Sequence, residues 1–186
     1  VLFRSTKRTN ELMAHTYSHL YKIPTTGIRF FTVYGPYGRP DMALFKFTKN
    51  ILLKKKILLF NKGNMYRDFT YIEDTVDALY KLINKKTKFE KKKIKINSSK
   101  SNFRLINIGN NKKTKLLDFL KILEKNLKIK AKIEYDKIQM GDVKSTVTSN
   151  KNLKKIIKMK KATSHEIGIK KFVEWFLNYF SKTKIK

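Results

Sequence analysis

The residues able to do chemistry gather in and around one stretch, Arg29 to Phe47, R-F-F-T-V-Y-G-P-Y-G-R-P-D-M-A-L-F-K-F. It runs from an apolar strand into a Gly/Pro turn that presents Arg39, then into an amphipathic segment. A guanidinium fork can take a carboxylate bidentately; Arg39 can equally be an ordinary loop arginine paired with Asp41. A second arginine, Arg67, stands beside Asp68 just before another extended run. Lys7 directs attention to position 3, because a residue four places earlier on a helix shares its face. A tyrosine there would make a base, since the ammonium favours the phenolate and lowers the tyrosine pKa. Position 3 is Phe, which has no proton to give. From the residues alone, Lys7 is a solvated surface lysine. His15 and His19 are spaced i, i+4 like metal ligands, but no third ligand is evident, so no metal site is expected.

The elements that must position these groups alternate. Residues 7 to 21 place Met13, Tyr17, Leu20 and Tyr21 at helical spacing, and Pro24 and Gly27 close the element. Ile28 to Tyr34 reads as one strand. Ala43 to Leu53 reads as a helix with Leu44, Phe47 and Ile51 on one stripe, and Lys54-Lys55-Lys56 suits its C-terminus. Ile57 to Phe60 is a short strand, residues 61–64 a turn, and Asp68 to Ile72 extended. Asp74 is expected to cap a helix whose Val76, Leu79, Leu82 and Ile83 face inward. Residues 84–103 read as an exposed loop with a short strand at Ile94–Ile96, followed by a strand at Leu105–Ile108. Thr114 is the expected cap of a helix carrying Leu116, Leu120, Leu123 and Leu127. A strand at Lys132–Tyr135, a turn at residues 139–142 and a small basic helix from Ser149 or Asn150 come next. Ser164 caps a last helix with Ile169, Phe172, Val173, Phe176, Leu177 and Phe180 on its stripe, and the S-K-T-K-I-K end is expected to fray. Helix followed closely by buried strand is the rhythm of a parallel α/β sheet. The chain opens in the middle of that rhythm, as a piece of a longer protein would.

The 186 residues are 41% hydrophobic, enough for one domain or a large part of one. No run of 18 apolar residues offers a membrane span. The absence of cysteine excludes disulfides, thiolate zinc sites and a cysteine nucleophile, and fits a cytoplasmic protein. The formal net charge of +30 (44 basic minus 14 acidic) raises the question of nucleic-acid binding. Arginine, the residue that reads bases, occurs only at positions 4, 8, 29, 39, 67 and 104. The rest are lysines spread over most of the chain, so no specific nucleic-acid partner is expected.

T-K-R-T-N-E-L-M-A-H-T-Y-S-H-L-Y, the Arg29–Phe47 stretch, R-D-F-T-Y-I-E-D and N-I-G-N resemble the second half of an extended short-chain dehydrogenase/reductase (SDR). Within that superfamily they most resemble the UDP-glucuronate 4-epimerases. G-D-V at 141–143 and G-I-K-K-F-V-E-W-F at 168–176 extend the match in the family's order. The resemblance implies an α/β fold: an incomplete Rossmann-type parallel sheet plus a small α/β substrate-binding domain. Residues 1–36 would be the tail of the NAD-binding domain and 37–186 mainly the UDP-sugar domain, with about 66–110 packing back on the Rossmann part. It also implies a reaction. NAD takes a hydride from C4 of the sugar while a tyrosine accepts the hydroxyl proton; the 4-keto sugar turns, and the hydride returns to the opposite face.

The same resemblance implies site roles. Lys7 matches the lysine of the Tyr-Lys pair, which also touches the nicotinamide ribose, and Phe3 stands where the tyrosine should be. Phe30 and Val33 match positions lining the nicotinamide. Thr32 matches a position facing the sugar, although a core threonine would look the same. Arg39 matches the arginine aimed at the glucuronate carboxylate, where it would also hold a β-keto acid out of alignment for loss of carbon dioxide. Arg67 matches an arginine that meets the UDP diphosphate, Phe60 one packing near uracil, and Asp142 an acid near the uridine ribose. Met140 departs from the proline more usual before that Gly-Asp. The helix at residues 7–21 falls in the family's dimer-forming region, so a homodimer is expected of the full-length protein.

Gly-x-Gly-x-x-Gly, the phosphate cradle of a dinucleotide fold, occurs nowhere in the chain. The expectation is therefore an inactive C-terminal part of a longer epimerase. V-L-F-R-S can be encoded by the end of a common sequencing adapter, and such a junction would erase the tyrosine. A neighbouring activity, UDP-glucose 4-epimerase or UDP-glucuronate decarboxylase, is the alternative within the fold. A non-catalytic basic nucleic-acid-binding protein is the alternative of another class.

Overall fold

A computed structural model describes the backbone of residues 2–87 and 101–181, and side chains within those spans from residue 5 onward. The strand expected at Ile94–Ile96, the frayed end from residue 182 and the Phe3 side chain lie outside the described residues. Among those described, no helix is long and apolar enough to cross a membrane. The elements are α1 (Leu2–Tyr21), β1 (Thr25–Phe30), β2 (Thr32–Tyr34), α2 (Ala43–Leu52), β3 (Lys56–Phe60), a 3₁₀ turn (Asn61–Gly63), β4 (Tyr66–Arg67), β5 (Phe69–Tyr71) and α3 (Ile72–Ile83). They continue with β6 (Phe103–Ile108), β7 (Thr114–Lys115), α4 (Leu116–Leu127), β8 (Lys132–Asp136), α5 (Lys151–Ile156) and α6 (His165–Ser181). They form two compact units.

The first unit comprises Val1–Phe30, Val76–Ile108 and Ser149–Met159. β1 and β6 pair in parallel from Thr25 opposite Phe103 to Phe30 opposite Ile108. Their apolar face packs Ile106 and Ile108 against Ala78 and Leu82 of α3 and Leu153 of α5. β1 is fixed to α1 by charge: Arg29 donates to both Glu11 carboxylate oxygens at 2.6 and 2.7 Å, and Arg8 adds a third bond at 2.5 Å. The Arg29 guanidinium, helped by Arg8, holds Glu11 down at about 2. Ser18, fully buried, closes α1 by donating to the Ile23 carbonyl at 2.8 Å. The Met13–Tyr17–Leu20–Tyr21 stripe exists as read but faces outward, each residue more than half exposed.

The second unit comprises Phe31–Thr75, Gly109–Thr148 and Lys160–Lys186. Two parallel pairs, β2 with β5 and β3 with β8, and the antiparallel pair β4 with β7 carry helices α2, α4 and α6. The core is aromatic. Phe69 stacks on Phe119 with ring centroids 3.9 Å apart, and Tyr34, Tyr71, Phe172 and Phe176 are all buried around them. Gly168 on α6 makes room for the Tyr34 hydroxyl, which a Cβ there would meet at 2.3 Å. α2 is followed by Lys54 and α4 by Lys128, each at positive φ, the left-handed cap position where glycine is usual.

Several sequence expectations are corrected. The single strand at Ile28–Tyr34 is two strands, broken at Phe31, because β1 bonds to β6 while β2 bonds to β5. Asp74 is no N-cap. It lies inside the first turn of α3, and its carboxylate accepts the Thr163 backbone N–H and hydroxyl, both at 2.8 Å. Val76 and Ile83 are exposed at 52% and 75%, so the buried face of α3 runs through Ala78 and Leu82 instead. Thr114 belongs to β7 opposite Arg67, and Lys115 takes the N-cap position of α4. Ser164 does cap α6, its hydroxyl accepting the Ile167 N–H at 3.4 Å.

Asp68 is the one fully buried carboxylate among the described residues of the second unit. It accepts N–H groups from Asn110 at 2.7 Å, Asn111 at 3.0 Å and Thr148 at 2.9 Å, and its own carbonyl accepts Thr32 N–H at 3.2 Å. Asp68→Ala leaves buried N–H groups without acceptors and is expected to cost about 3 kcal/mol or more of unfolding free energy. Urea unfolding checks it; equal stability of variant and parent would refute the clamp. In the first unit, Glu11 contributes stability above the ordinary glutamate range, and that contribution is lost as pH falls toward about 2. Glu11→Gln is expected to remove about 1 kcal/mol at neutral pH, the upper end for a solvent-touched pair. It should also flatten the acid limb, which urea titrations at neutral and acidic pH will show.

Candidate functional site

The second unit holds a cleft of about 550 Å³ lined from several of its strands and helices. Thr32 enters from β2, Lys46, Phe47 and Asn50 from α2, Phe60 from the end of β3, and Arg67 from β4. Gln139 and Asp142 complete the wall from the loop after β8. A smaller adjoining cavity of about 40 Å³ shares Thr32, Met42, Ala43 and Phe69 with the cleft and is lined by Val33, Gly35 and Arg39. Thr32, Phe60, Arg67 and Asp142, four of the residues singled out from sequence, thus meet around one space, and Arg39 stands beside it.

Arg67 and Asp142 touch directly. Arg67 Nη2 donates to Asp142 Oδ1 at 2.9 Å, and Nη1 donates to the Tyr66 and Val143 carbonyls, each at 2.9 Å. The same Asp142 oxygen accepts Val143 N–H at 2.8 Å. The guanidinium therefore serves as the rivet that closes the 142–143 turn over β4. Tyr66 N–H to the Lys144 carbonyl and Thr146 N–H to the Tyr66 carbonyl continue the seam.

Arg39 rides on a turn whose backbone is unusual twice. Gly35 has φ 145°, and a Cβ there would lie 2.4 Å from Ile72 Cγ2. Tyr37 has φ 59° and lays its exposed ring against Trp175 of α6, centroids 5.2 Å apart. Met42 N–H bonds the Arg39 carbonyl at 3.1 Å, which folds Asp41 back on Arg39. Arg39 then donates bidentately to Asp41, Nε to Oδ1 at 3.0 Å and Nη2 to Oδ2 at 2.5 Å. The hydrogen bond from Arg39 holds the Asp41 carboxyl below its ordinary range.

The other expected positions lie elsewhere. Val33 is half-buried in the smaller cavity, whereas Phe30, 52% exposed, and Lys7, exposed on α1, belong to the first unit. His15 packs edge-on against Phe103, and no group of three His, Asp or Glu among the described residues could hold a metal. Burial pushes the Tyr34 hydroxyl up, and burial with Glu73 pushes Tyr71 up to about 12. Burial lowers His165, which packs among Tyr34, Phe69 and Phe119. Arg67, Arg39 and Phe60 give these spaces a lining whose chemistry suits anions and apolar rings.

Sequence reasoning missed Lys46 and Asn50, four apart on α2 and both on the cleft wall. Their signal was present: they fall off the Leu44–Phe47–Ile51 stripe, and Lys46 follows Arg39 within two helical turns. It also missed the Arg67–Asp142 bond, 75 residues apart in the chain, for which no local signal exists.

Comparison with known proteins now bears on this geometry. The chain is 46% identical over 185 residues to Protein CapI of Staphylococcus aureus, covering 97% of this chain and 55% of that protein. It is 42% identical over 190 residues to UDP-glucuronate 4-epimerase 4 of Arabidopsis thaliana, covering 98% and 43% respectively. Its fold matches the crystal structure of UDP-glucuronic acid 4-epimerase from Bacillus cereus in complex with UDP-glucuronic acid and NAD. There the TM-score is 0.80 at 28% identity, over 94% of this chain and 52% of that one. The chain spans about half the length of the curated relatives it matches. Residues 2–97 match the model of the NAD dependent epimerase/dehydratase family, and the chain belongs to that family of extended SDR proteins.

Proposed function

We propose that this chain forms the nucleotide-sugar-binding part of a UDP-glucuronate 4-epimerase, an enzyme interconverting UDP-glucuronate and UDP-galacturonate through a 4-keto sugar. The observation that carries the reading is the pairing of two arginines around one space: Arg67 in the cleft and Arg39 in the adjoining cavity, with Thr32 lining both. A ligand carrying both a diphosphate and a carboxylate would use one arginine for each, with Phe60 offering a face for a base. Guanidinium groups suit both anions.

NAD supplies the hydride chemistry of such a reaction when bound. Lys7 would meet its ribose, and Phe30 and Val33 its nicotinamide ring. The Gly-rich pyrophosphate cradle does not occur in these 186 residues, and Phe occupies position 3. No hydride or proton transfer step is therefore assigned to residues of this chain; their part is to bind and orient the sugar. The outward stripe of α1, Met13, Tyr17, Leu20 and Tyr21, supports a homodimer of the whole protein packed through that helix.

The reading is tested on binding. The 186-residue chain should bind UDP-glucuronate more tightly than UDP-glucose in calorimetric titrations. Arg39→Ala should cost about tenfold, or about 1.4 kcal/mol, on UDP-glucuronate alone. Arg67→Ala should weaken both. Equal losses on the two ligands from Arg39→Ala would remove the carboxylate role and, with it, the case for glucuronate over glucose.

A further inference from the structure

The turn carrying Arg39 contains its own carboxylate, and the two are bound in the manner expected for a substrate carboxylate. The Nε–Nη2 edge of the guanidinium, the edge that makes the best bidentate fork, is filled by both oxygens of Asp41. The two side chains lie on the boundary between the spaces described above: Asp41 lines the cleft, and Arg39 lines the adjoining cavity. Both are open to solvent, at 72% and 56% side-chain exposure, so water screens the pair and leaves it exchangeable. We propose, resting on the carboxylate reading of Arg39 above, that Asp41 is a resident carboxylate that guards Arg39 and sets which ligands reach it.

The physical case is one of effective concentration. Asp41 sits two residues from Arg39 and is folded back on it by the Met42–Arg39 backbone bond. It therefore presents its carboxylate at the high local concentration of an intramolecular ligand. A free anion arriving from solution competes poorly against that. A carboxylate delivered on a ligand already held by its nucleotide in the cleft is intramolecular too, and competes on equal terms. The guard thus converts a general anion site into one that opens to a tethered carboxylate.

The need for such a guard follows from composition. With a net charge of +30, the chain concentrates small anions around its surface. An open arginine fork beside the cleft would fill with phosphate or any other small anion. Pairing with Asp41 also leaves the second guanidinium edge, Nη1, pointing away from the carboxylate it holds. The arriving carboxylate can engage there first and displace Asp41 second. The exchange is one carboxylate for another and needs no change of protonation.

The experiment compares the 186-residue chain with Asp41→Asn and Asp41→Ala. In the ligand-free protein, the ¹⁵N NMR signal of the Arg39 Nε–H should move in both variants, and its exchange with water should quicken. An unmoved signal overturns the guard whatever the nucleotide results. In titrations, the ratio of UDP-glucuronate to UDP-glucose affinity should rise roughly threefold in both variants, the scale of an exposed ion pair. Inorganic phosphate should also compete with UDP-glucuronate more strongly in the variants than in the parent. A ratio that is unchanged, or that falls in both variants, overturns the proposal and makes Asp41 a residue that merely orients Arg39. If the parent chain binds the two nucleotide sugars equally, the carboxylate reading of Arg39 fails and the guard fails with it. If the parent discriminates and the variants do not improve, the guard alone fails.

Discussion

The second unit depends on burying one carboxylate well. A charged Asp68 without water around it would be costly, and the structure offsets that cost by aiming three backbone N–H groups at it. Those groups belong to the turn at Asn110–Asn111 and to Thr148, two segments that have no strand of their own to hold them. The same residue's carbonyl receives Thr32, so one amino acid joins β2, the post-β6 turn and the segment leading to α5. Its neighbour Arg67 faces the other way, into the cleft, and closes the 142–143 turn. Two adjacent residues on an extended backbone point to opposite sides. Here one side is a buried clamp and the other a binding wall.

The treatment of charge follows from this. A chain with three times as many basic as acidic residues could satisfy any anion anywhere on its surface. The two arginines of the candidate site do not present bare charge. Each is matched with an aspartate at hydrogen-bond distance, Arg39 with Asp41 and Arg67 with Asp142. The difference in exposure separates their roles. Arg67, 20% exposed with three partners, is held in one place; the Arg39 side chain, at 72%, is bound to Asp41 in open solvent. An anion meeting Arg67 finds a preorganised charge, whereas one meeting Arg39 must first compete.

Much of this was legible in sequence, and the limits have physical causes. The bounds of α2 and α6 were read almost to the residue, because periodicity reports burial on one face, although Leu177, placed on the α6 stripe, is 43% exposed. Ser164 was readable as a cap since its signal is local. Asp74 carried the same local signal and misled, because a distant segment at Thr163 claimed its carboxylate. The break at Phe31 was invisible for a related reason: β-branched and aromatic residues continue through it, and only the choice of partner strand changes. Val76 and Ile83 fit a helical stripe but lie outside the buried face. Of the site, the residues marked by family pattern, Thr32, Phe60, Arg67 and Asp142, do gather around one cleft. Lys46 and Asn50 were missed although their off-stripe spacing was readable, because that spacing does not by itself say which off-stripe positions line a cleft.

The distribution of proton affinities gives the last constraint. Two tyrosines stand close to the Arg39 turn, and either would be a tempting base. Both are pushed toward the protonated state, Tyr34 by burial and Tyr71 by burial and by Glu73. Deprotonating them would place a phenolate in or beside an aromatic core and close to carboxylates. A lysine four residues away on a helix is the device that favours a phenolate, and the only such lysine of the family pattern, Lys7, lies in the first unit with Phe at position 3. The second unit therefore keeps Tyr34 and Tyr71 protonated and both site guanidinium groups paired with carboxylates. That combination supports the ligand-binding role proposed above for the Arg39 turn rather than a proton-accepting role for these two tyrosines.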